Sequence, residues 1–258
     1  MATLRSRIRP LLALLAGLVV LSTGVVAAYA TQRTDDDRAS GPAPTSQTSE
    51  PGPTVPPTTA EPTTTTTEPP ATAFQRGDTG IYVELLQQRL YDLGYFLPER
   101  SGTYDEGTAH AVMAFQKLHG LARDGVAGPQ TLGALEAATP VAPTQGTDAH
   151  LEVSLDAQVL IVVDGQGRAV AIDATTGKAS TPTPAGSYTI FRQVDGWDPG
   201  PYGSLYRPKY FVGGIAVHGG PPVIADPASH GCVRVPDPAI DWLWSSGLAP
   251  RGARVVVV

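Results

Sequence analysis

The stretch GIAVHGGPPVIADPASHGCVRV, Gly214–Val235, holds the chain's single cysteine, Cys232, and two of its five histidines, His218 and His230. A free thiol is only a few per cent thiolate at neutral pH, so a cysteine that does chemistry needs a nearby imidazole to take its proton. Two imidazoles are on offer here. The short apolar run Ile215-Ala216-Val217 carries His218 out to a turn at Gly219-Gly220-Pro221-Pro222. If Ser229–Val235 is extended, the period of two puts His230, Cys232 and Arg234 on one face, and Gly231 leaves the backbone open to a ligand. The amides of Gly231 and Cys232 are then candidates for binding a developing oxyanion.

Two other readings of the same residues stand beside this one. A lone cysteine is commonly a small buried hydrophobe, although a structural role gives no reason for the His-Gly before it or the arginine after it. His218, His230 and Cys232 could also form a three-ligand zinc site of the Cys-His₂ kind. The local sequence offers only Asp226 as a carboxylate to orient such a set.

Serine-His-Gly-Cys followed by hydrophobic, Arg and hydrophobic, with a His-Gly upstream, resembles the signature of the L,D-transpeptidases, the YkuD-like domains. The resemblance extends over roughly residues 151–258. It takes in Thr176-Gly177-Lys178 and the T-P-x-G type segment Thr181-Pro182-Thr183-Pro184-Ala185-Gly186-Ser187-Tyr188. It implies a mainly β catalytic domain that crosslinks peptidoglycan stem peptides. Cys232 would be the nucleophile and His218 the base, with His230 and Gly231 shaping the turn and the Gly231 and Cys232 amides forming the oxyanion hole. The implied donor is a tetrapeptide attacked at an L-centre carbonyl with release of D-alanine, through a thioester and without cofactor or metal. Arg234, Ser229, Tyr206 and Gly219 are the candidate substrate-binding residues, Arg234 for a stem carboxylate. Covalent capture by a carbapenem-type β-lactam is implied as well. Gly219-Gly220 departs from the Ser or Thr that members often carry after the histidine, and the ten residues between His218 and Ser229 imply a small loop. Trimming of stems by an L,D-carboxypeptidase and a catalytically silent wall-binding protein are the alternatives.

The 258 residues carry a net charge of −6, with 28 Gly and 25 Pro. An acidic chain with no basic stripe has nothing to displace counterions from a nucleic acid, so that class of partner is excluded. Arg5, Arg7 and Arg9 precede the apolar run Leu11–Ala30. About 20 such residues suffice to span a bilayer with the arginines on the cytoplasmic side. Ala28-Tyr29-Ala30 is also a signal-cleavage pattern. Both readings direct export to the cell envelope, the first as a membrane anchor, which the length of the run favours. Residues 31–72 read as a disordered linker, since Gly41–Pro70 holds 9 Pro and 10 Thr and favours extended polyproline II.

Residues 73–140 turn helical. Val83, Leu86, Leu90 and Leu93 recur at spacings of three and four up to Gly94, with Asp78 or Thr79 as cap. A second helix is expected from about Asp105 to His119 with Ala111, Val112, Phe115 and Leu118 inward, and a third after Gly128-Pro129 with Leu132 and Leu135 inward. His110 and His119 fall on the exposed side. Gly77-Asp78, Leu86-Gln87, Gly94-Tyr95, Tyr104-Asp105, Phe115-Gln116 and Gly125–Leu132 together resemble the three-helix peptidoglycan-binding domain, which implies peptidoglycan as partner.

From Leu151 the period becomes two, with Leu151, Val153 and Leu155 alternating with Glu152, Ser154 and Asp156. Strands are expected at Val159–Val163, Arg168–Ala174, Gly186–Val194, Lys209–Val212, Ile215–His218 and Arg254–Val258, with one helix over Pro238–Trp244 capped by Asp237. The expected fold is a β-sandwich over residues 150–258 beside a small all-α domain. Val194–Lys209, rich in Gly, Pro and aromatics, reads as a loop over the site, and His150 as structural or exposed.

Overall fold

The computed structural model describes residues 72–258; the apolar run before residue 31 and the linker up to residue 71 lie outside the described residues. Helix α1 (Ile81–Asp92) buries Val83, Leu86 and Leu90. Its N-cap is Gly80 rather than Asp78 or Thr79. The Asp78 carboxylate instead accepts the Gln75 N–H at 2.8 Å, and Thr79 is bridged to Thr103. Helix α2 (Glu106–Leu118) begins where the Asp105 carboxylate accepts the Thr108 N–H at 2.8 Å, which satisfies one of the free donors of the first turn. Pro129 opens α3 (Pro129–Ala137) at a position where its missing N–H costs nothing.

The rest is a two-sheet sandwich. One sheet has the order β3-β2-β1-β10-β4, from β1 (His150–Ser154), β2 (Val159–Val163), β3 (Ala169–Asp173), β4 (Gly186–Thr189) and β10 (Arg254–Val257). The other has the order β5-β7-β8-β9 with β6 added to β7. Its strands are β5 (Arg192–Gln193), β6 (Trp197–Asp198), β7 (Leu205–Val212), β8 (Ile215–Gly219) and β9 (Val233–Arg234). Helix α4 (Asp237–Ser245) packs Ala239, Ile240 and Leu243 into the sandwich core with Leu151, Leu160, Val217 and Val233. β2 is apolar at every position because both of its faces are covered. Leu160 and Val162 face this core, while Val159, Ile161 and Val163 pack with Phe115, Tyr95 and Leu93 of the helical region. Each of these side chains contributes about 1.5–3 kcal/mol by leaving water, so the sheet and the helices share one apolar interior.

Several expectations are corrected. The expected strand Gly186–Val194 is two strands, because the chain leaves one sheet after β4 to join the other at β5. The expected loop Val194–Lys209 contains β6 and half of β7. Pro208 is accommodated inside β7 by a register shift between Tyr206 and Lys209 and by Arg207 at φ 50°, the irregularity that lets a strand hold a proline. Asp237 does not cap α4, whose N-cap is Pro236. Glu152 lies on the face opposite Leu151 and Val153, as the alternation requires, but it is buried there under Thr144 and Gln145: burial pushes its carboxyl up, and hydrogen bonds from Gln145, Thr144 and His150 outweigh that and hold it below the ordinary value. His150 is fully buried beside it. His110 is not on the exposed side either; its Nδ1 meets Asp173 Oδ2 at 2.7 Å, whereas His119 is exposed and stacks on Phe115.

Among the described residues no helix is long and apolar enough to cross a membrane.

Candidate active site

Parallel pairing of β8 with β9 sets Val217 opposite Val233 and His218 opposite Arg234. Paired positions share a face, and so do residues two apart on one strand. His218, Arg234 and Cys232 therefore come to one side, and all three line a cleft of about 540 Å³. Tyr202, His230, Ser229 and Pro221 complete its near wall.

His218 is 1% exposed. Its Nδ1 lies 2.7 Å from the Gly219 carbonyl. A carbonyl only accepts, so Nδ1 carries the proton and Nε2 keeps its lone pair. Burial pulls the imidazole down to about 4, against the Gly219 hydrogen bond and with the help of the Arg234 charge. Burial likewise pushes the Cys232 thiol up, against the Ala216 backbone and Arg234, which favour the thiolate. In the resting site the proton is therefore on sulfur and the imidazole is neutral. Sγ is placed 3.9 Å from the Gly214 carbonyl, the long limit of a thiol hydrogen bond.

The turn before Cys232 is held from within and from the segment that joins β3 to β4. Ser229 Oγ donates to the Cys232 carbonyl at 2.6 Å and accepts the Gly231 N–H at 3.1 Å. Thr183 Oγ1 accepts the Gly177 N–H and donates to the Gly231 carbonyl, both within 2.9 Å. The Ser229 carbonyl accepts from Lys178 N–H and Thr181 Oγ1. Gly231 sits at φ 111°, a region that a Cβ disfavours.

These contacts revise the candidate roles. With the Gly231 N–H engaged by Ser229, of the two proposed oxyanion donors only the Cys232 N–H is without a protein acceptor among the described residues. Ser229 lines the cleft but its hydroxyl is engaged in the turn. Tyr206 is not in the cleft lining; it packs against Trp197, ring centroids 5.1 Å apart, opposite Gly219. Gly219 acts through its carbonyl on His218, and a Cβ there would meet the Asp237 carboxylate, which would have to shift to make room. That carboxylate instead accepts the Gly220 N–H at 2.6 Å. Asp226 orients nothing in the site, since the Gly219 carbonyl does that work. Arg234 is in no ion pair among the described residues and faces the cleft. His230 stacks flat on Tyr202 at 4.3 Å, and among the described residues no group of three or more His, Cys, Asp or Glu is arranged to hold a metal ion. Tyr202 and Thr183 are the site residues that sequence reasoning passed over. The aromatic loop was the signal for the first, and the Thr-Pro segment for the second.

Gly177 gives a structural prediction. A Cβ there would meet the backbone of Thr181, Thr183 and Pro182, none of which is a flexible side-chain end. Gly177→Ala should lower stability by about 3 kcal/mol or more and displace the Thr183 clamp on Gly231. Urea unfolding monitored by tryptophan fluorescence checks this; a change under about 1 kcal/mol would contradict it.

Residues 148–257 match the L,D-transpeptidase catalytic domain family, and residues 79–135 the putative peptidoglycan binding domain family. The crystal structure of an L,D-transpeptidase from Xylanimonas cellulosilytica is similar at 44% identity and a TM-score of 0.68, over 74% of this chain and 100% of that one. A probable N-acetylmuramoyl-L-alanine amidase of Bacillus licheniformis is 42% identical over 67 residues, 25% of this chain and 19% of its own length. The amidase CwlM of Mycobacterium tuberculosis is 43% identical over 56 residues, 22% of this chain and 14% of its own. This chain spans about a fifth or less of the length of these curated relatives. The 44% identity over the full length of a solved member, with the matching catalytic-domain family, shows that the chain belongs to the L,D-transpeptidase family.

Proposed function

We propose that this protein crosslinks peptidoglycan stem peptides by cysteine acyl transfer in the cell envelope, outside the cytoplasm, with the apolar run Leu11–Ala30 directing export. The observation that carries the reading is the contact of His218 Nδ1 with the Gly219 carbonyl: a carbonyl only accepts, so the proton belongs on Nδ1 and Nε2 is a proton acceptor in the cleft that also holds Cys232 and Arg234. Sγ attacks the carbonyl carbon of the L-centre of a donor tetrapeptide while its proton passes to His218 Nε2. The carbonyl oxygen becomes an oxyanion within reach of the Cys232 N–H. Collapse breaks the amide bond, and D-alanine leaves with the proton from His218, so that a thioester remains on Cys232. An acceptor amine then attacks the thioester, gives a proton to His218, and the sulfur departs and is reprotonated. Arg234, unpaired in the cleft, binds a carboxylate of the stem. Tyr202 and His230 form the rim over which the donor enters.

Incubation of the full chain with a disaccharide tetrapeptide, followed by mass spectrometry, tests this. Crosslinked dimers with released D-alanine are expected. Release with only shortened tripeptides would move the assignment to an L,D-carboxypeptidase, and no release would leave a wall-binding protein.

A further inference from the structure

Helix α2 lies in the stretch that matches the peptidoglycan binding family, yet Lys117 on it reaches the opposite half of the molecule. Its side chain is 0% exposed. Nζ is 2.6 Å from Asp173 Oδ1, 2.8 Å from the Ala174 carbonyl, 3.2 Å from the Ile224 carbonyl and 3.3 Å from the Gln158 carbonyl. A buried ammonium is tolerated only when paired and hydrogen-bonded in this way. The other Asp173 oxygen takes His110 Nδ1 at 2.7 Å, from the same helix two turns back.

The partners of that ammonium are not scattered. Ile224 belongs to the connection between His218 and Cys232. Its N–H and its carbonyl are both bound by Thr175 Oγ1, at 2.7 and 2.8 Å. Ala174 precedes Thr175, whose backbone pairs in both directions with Arg234. Thr176 follows, and its carbonyl accepts the N–H groups of Ala228 and Ser229. One buried charge thus holds the strand end and the loop from which the nucleophile turn and Arg234 are positioned. Arg123 adds a second, outer clamp, from Nη1 to the Ala225 carbonyl at 3.3 Å and from Nη2 to the Asp156 carbonyl at 3.0 Å.

We propose that Lys117, assisted by Arg123, is a positioning residue for the transfer reaction, by which the peptidoglycan-binding helix sets the geometry of the loop that joins base to nucleophile. The proposal rests on the acyl-transfer reading for its turnover test but not for its thiol test. Misplacing a reacting group by about 1 Å costs on the order of a hundredfold in rate, so even a partial relaxation of this loop is measurable.

The paired variant Lys117→Met with Asp173→Asn removes both charges, so that no lone charge stays buried, and takes the donor away from the Gln158, Ala174 and Ile224 carbonyls. In the full chain, kcat for D-alanine release should fall by about tenfold or more while KM stays within about twofold, because no substrate contact is lost. The sole thiol, Cys232, should react with iodoacetamide about threefold faster or more as the loop loosens and the sulfur is less desolvated. Lys117→Arg, which keeps the charge, should recover most of both. Arg123→Ala, partly exposed and safe for folding, should move both readouts in the same direction by about two- to threefold, and carries the test if circular dichroism shows the paired variant unfolded. A folded variant with kcat and alkylation rate both unchanged overturns the proposal. If the wild type releases no D-alanine, the acyl-transfer reading fails, and the alkylation comparison still decides whether Lys117 positions Cys232.

Discussion

Cys232→Ala should abolish D-alanine release, lowering it by on the order of 10⁴-fold or more, the scale on which loss of a covalent nucleophile is felt when nothing nearby can replace it. Nothing can here, because the chain has one cysteine and Ser229 Oγ is engaged with the Cys232 carbonyl and the Gly231 amide. The wild type should form a covalent adduct with a carbapenem-type β-lactam, read as the added mass of the intact protein, and Cys232→Ala should not. The thiol itself should titrate high. Burial pushes Cys232 up, and the Ala216 backbone and Arg234 offset that only in part, so the pH at which alkylation of the wild type reaches half its limit should lie above that of an exposed thiol. Release by Cys232→Ala within tenfold of wild type would remove the cysteine from the mechanism. An alkylation midpoint near neutrality would mean that a preformed thiolate, rather than a thiol deprotonated during attack, begins the reaction.

The parts of the site that could be read in advance are those set by local period and chemistry. His218 at the end of an apolar strand and Cys232 two residues from Arg234 needed only the alternation of an extended chain, and β8 and β9 put them on one face as that alternation requires. β2 was legible as a strand from its five consecutive apolar residues, but not that helices α1 and α2 cover its second face. What escaped was set by partners distant in sequence. Lys117 follows the helical period as a polar position, and its burial depends on Asp173, 56 residues on; His110 changes status through the same aspartate, 63 residues away. Asp237 stands where a cap belongs, yet its carboxylate is taken by the N–H of Gly220, just past the end of β8. In the Gly- and Pro-rich segment before β8, Tyr206 and Tyr202 were equivalent as sequence. The short β6–β7 ladder decides between them, placing Tyr206 opposite Gly219 and beside Trp197, and leaving Tyr202 three-quarters exposed at the cleft over His230.

His218→Asn separates the two nitrogens of the imidazole. The asparagine amide can still donate to the Gly219 carbonyl in place of Nδ1, but nothing occupies Nε2, so the loop should hold while kcat falls by about 10²–10⁴-fold, the usual range for a lost general base. The same variant has a signature in stability. The folded-state value of His218, about 4, is below its ordinary 6.5, so between those values the unfolded chain binds the extra proton and the folded one does not. Stability from this group is complete above pH 6.5 and is lost as pH falls toward 4, with about 2 kcal/mol gone by pH 5. Urea unfolding of the wild type at pH 7 and pH 5 should show that loss, and His218→Asn, with no group to titrate, should show a drop smaller by the same amount. Equal drops in the two proteins would mean that His218 is not held neutral by its burial. In that case an imidazolium could already face the sulfur at rest, and the transfer would have to start from an ion pair instead of from a neutral base. An unchanged kcat would be the more serious result, because it would remove the proton acceptor that the proposed mechanism uses both for the loss of D-alanine and for the attack of the acceptor amine.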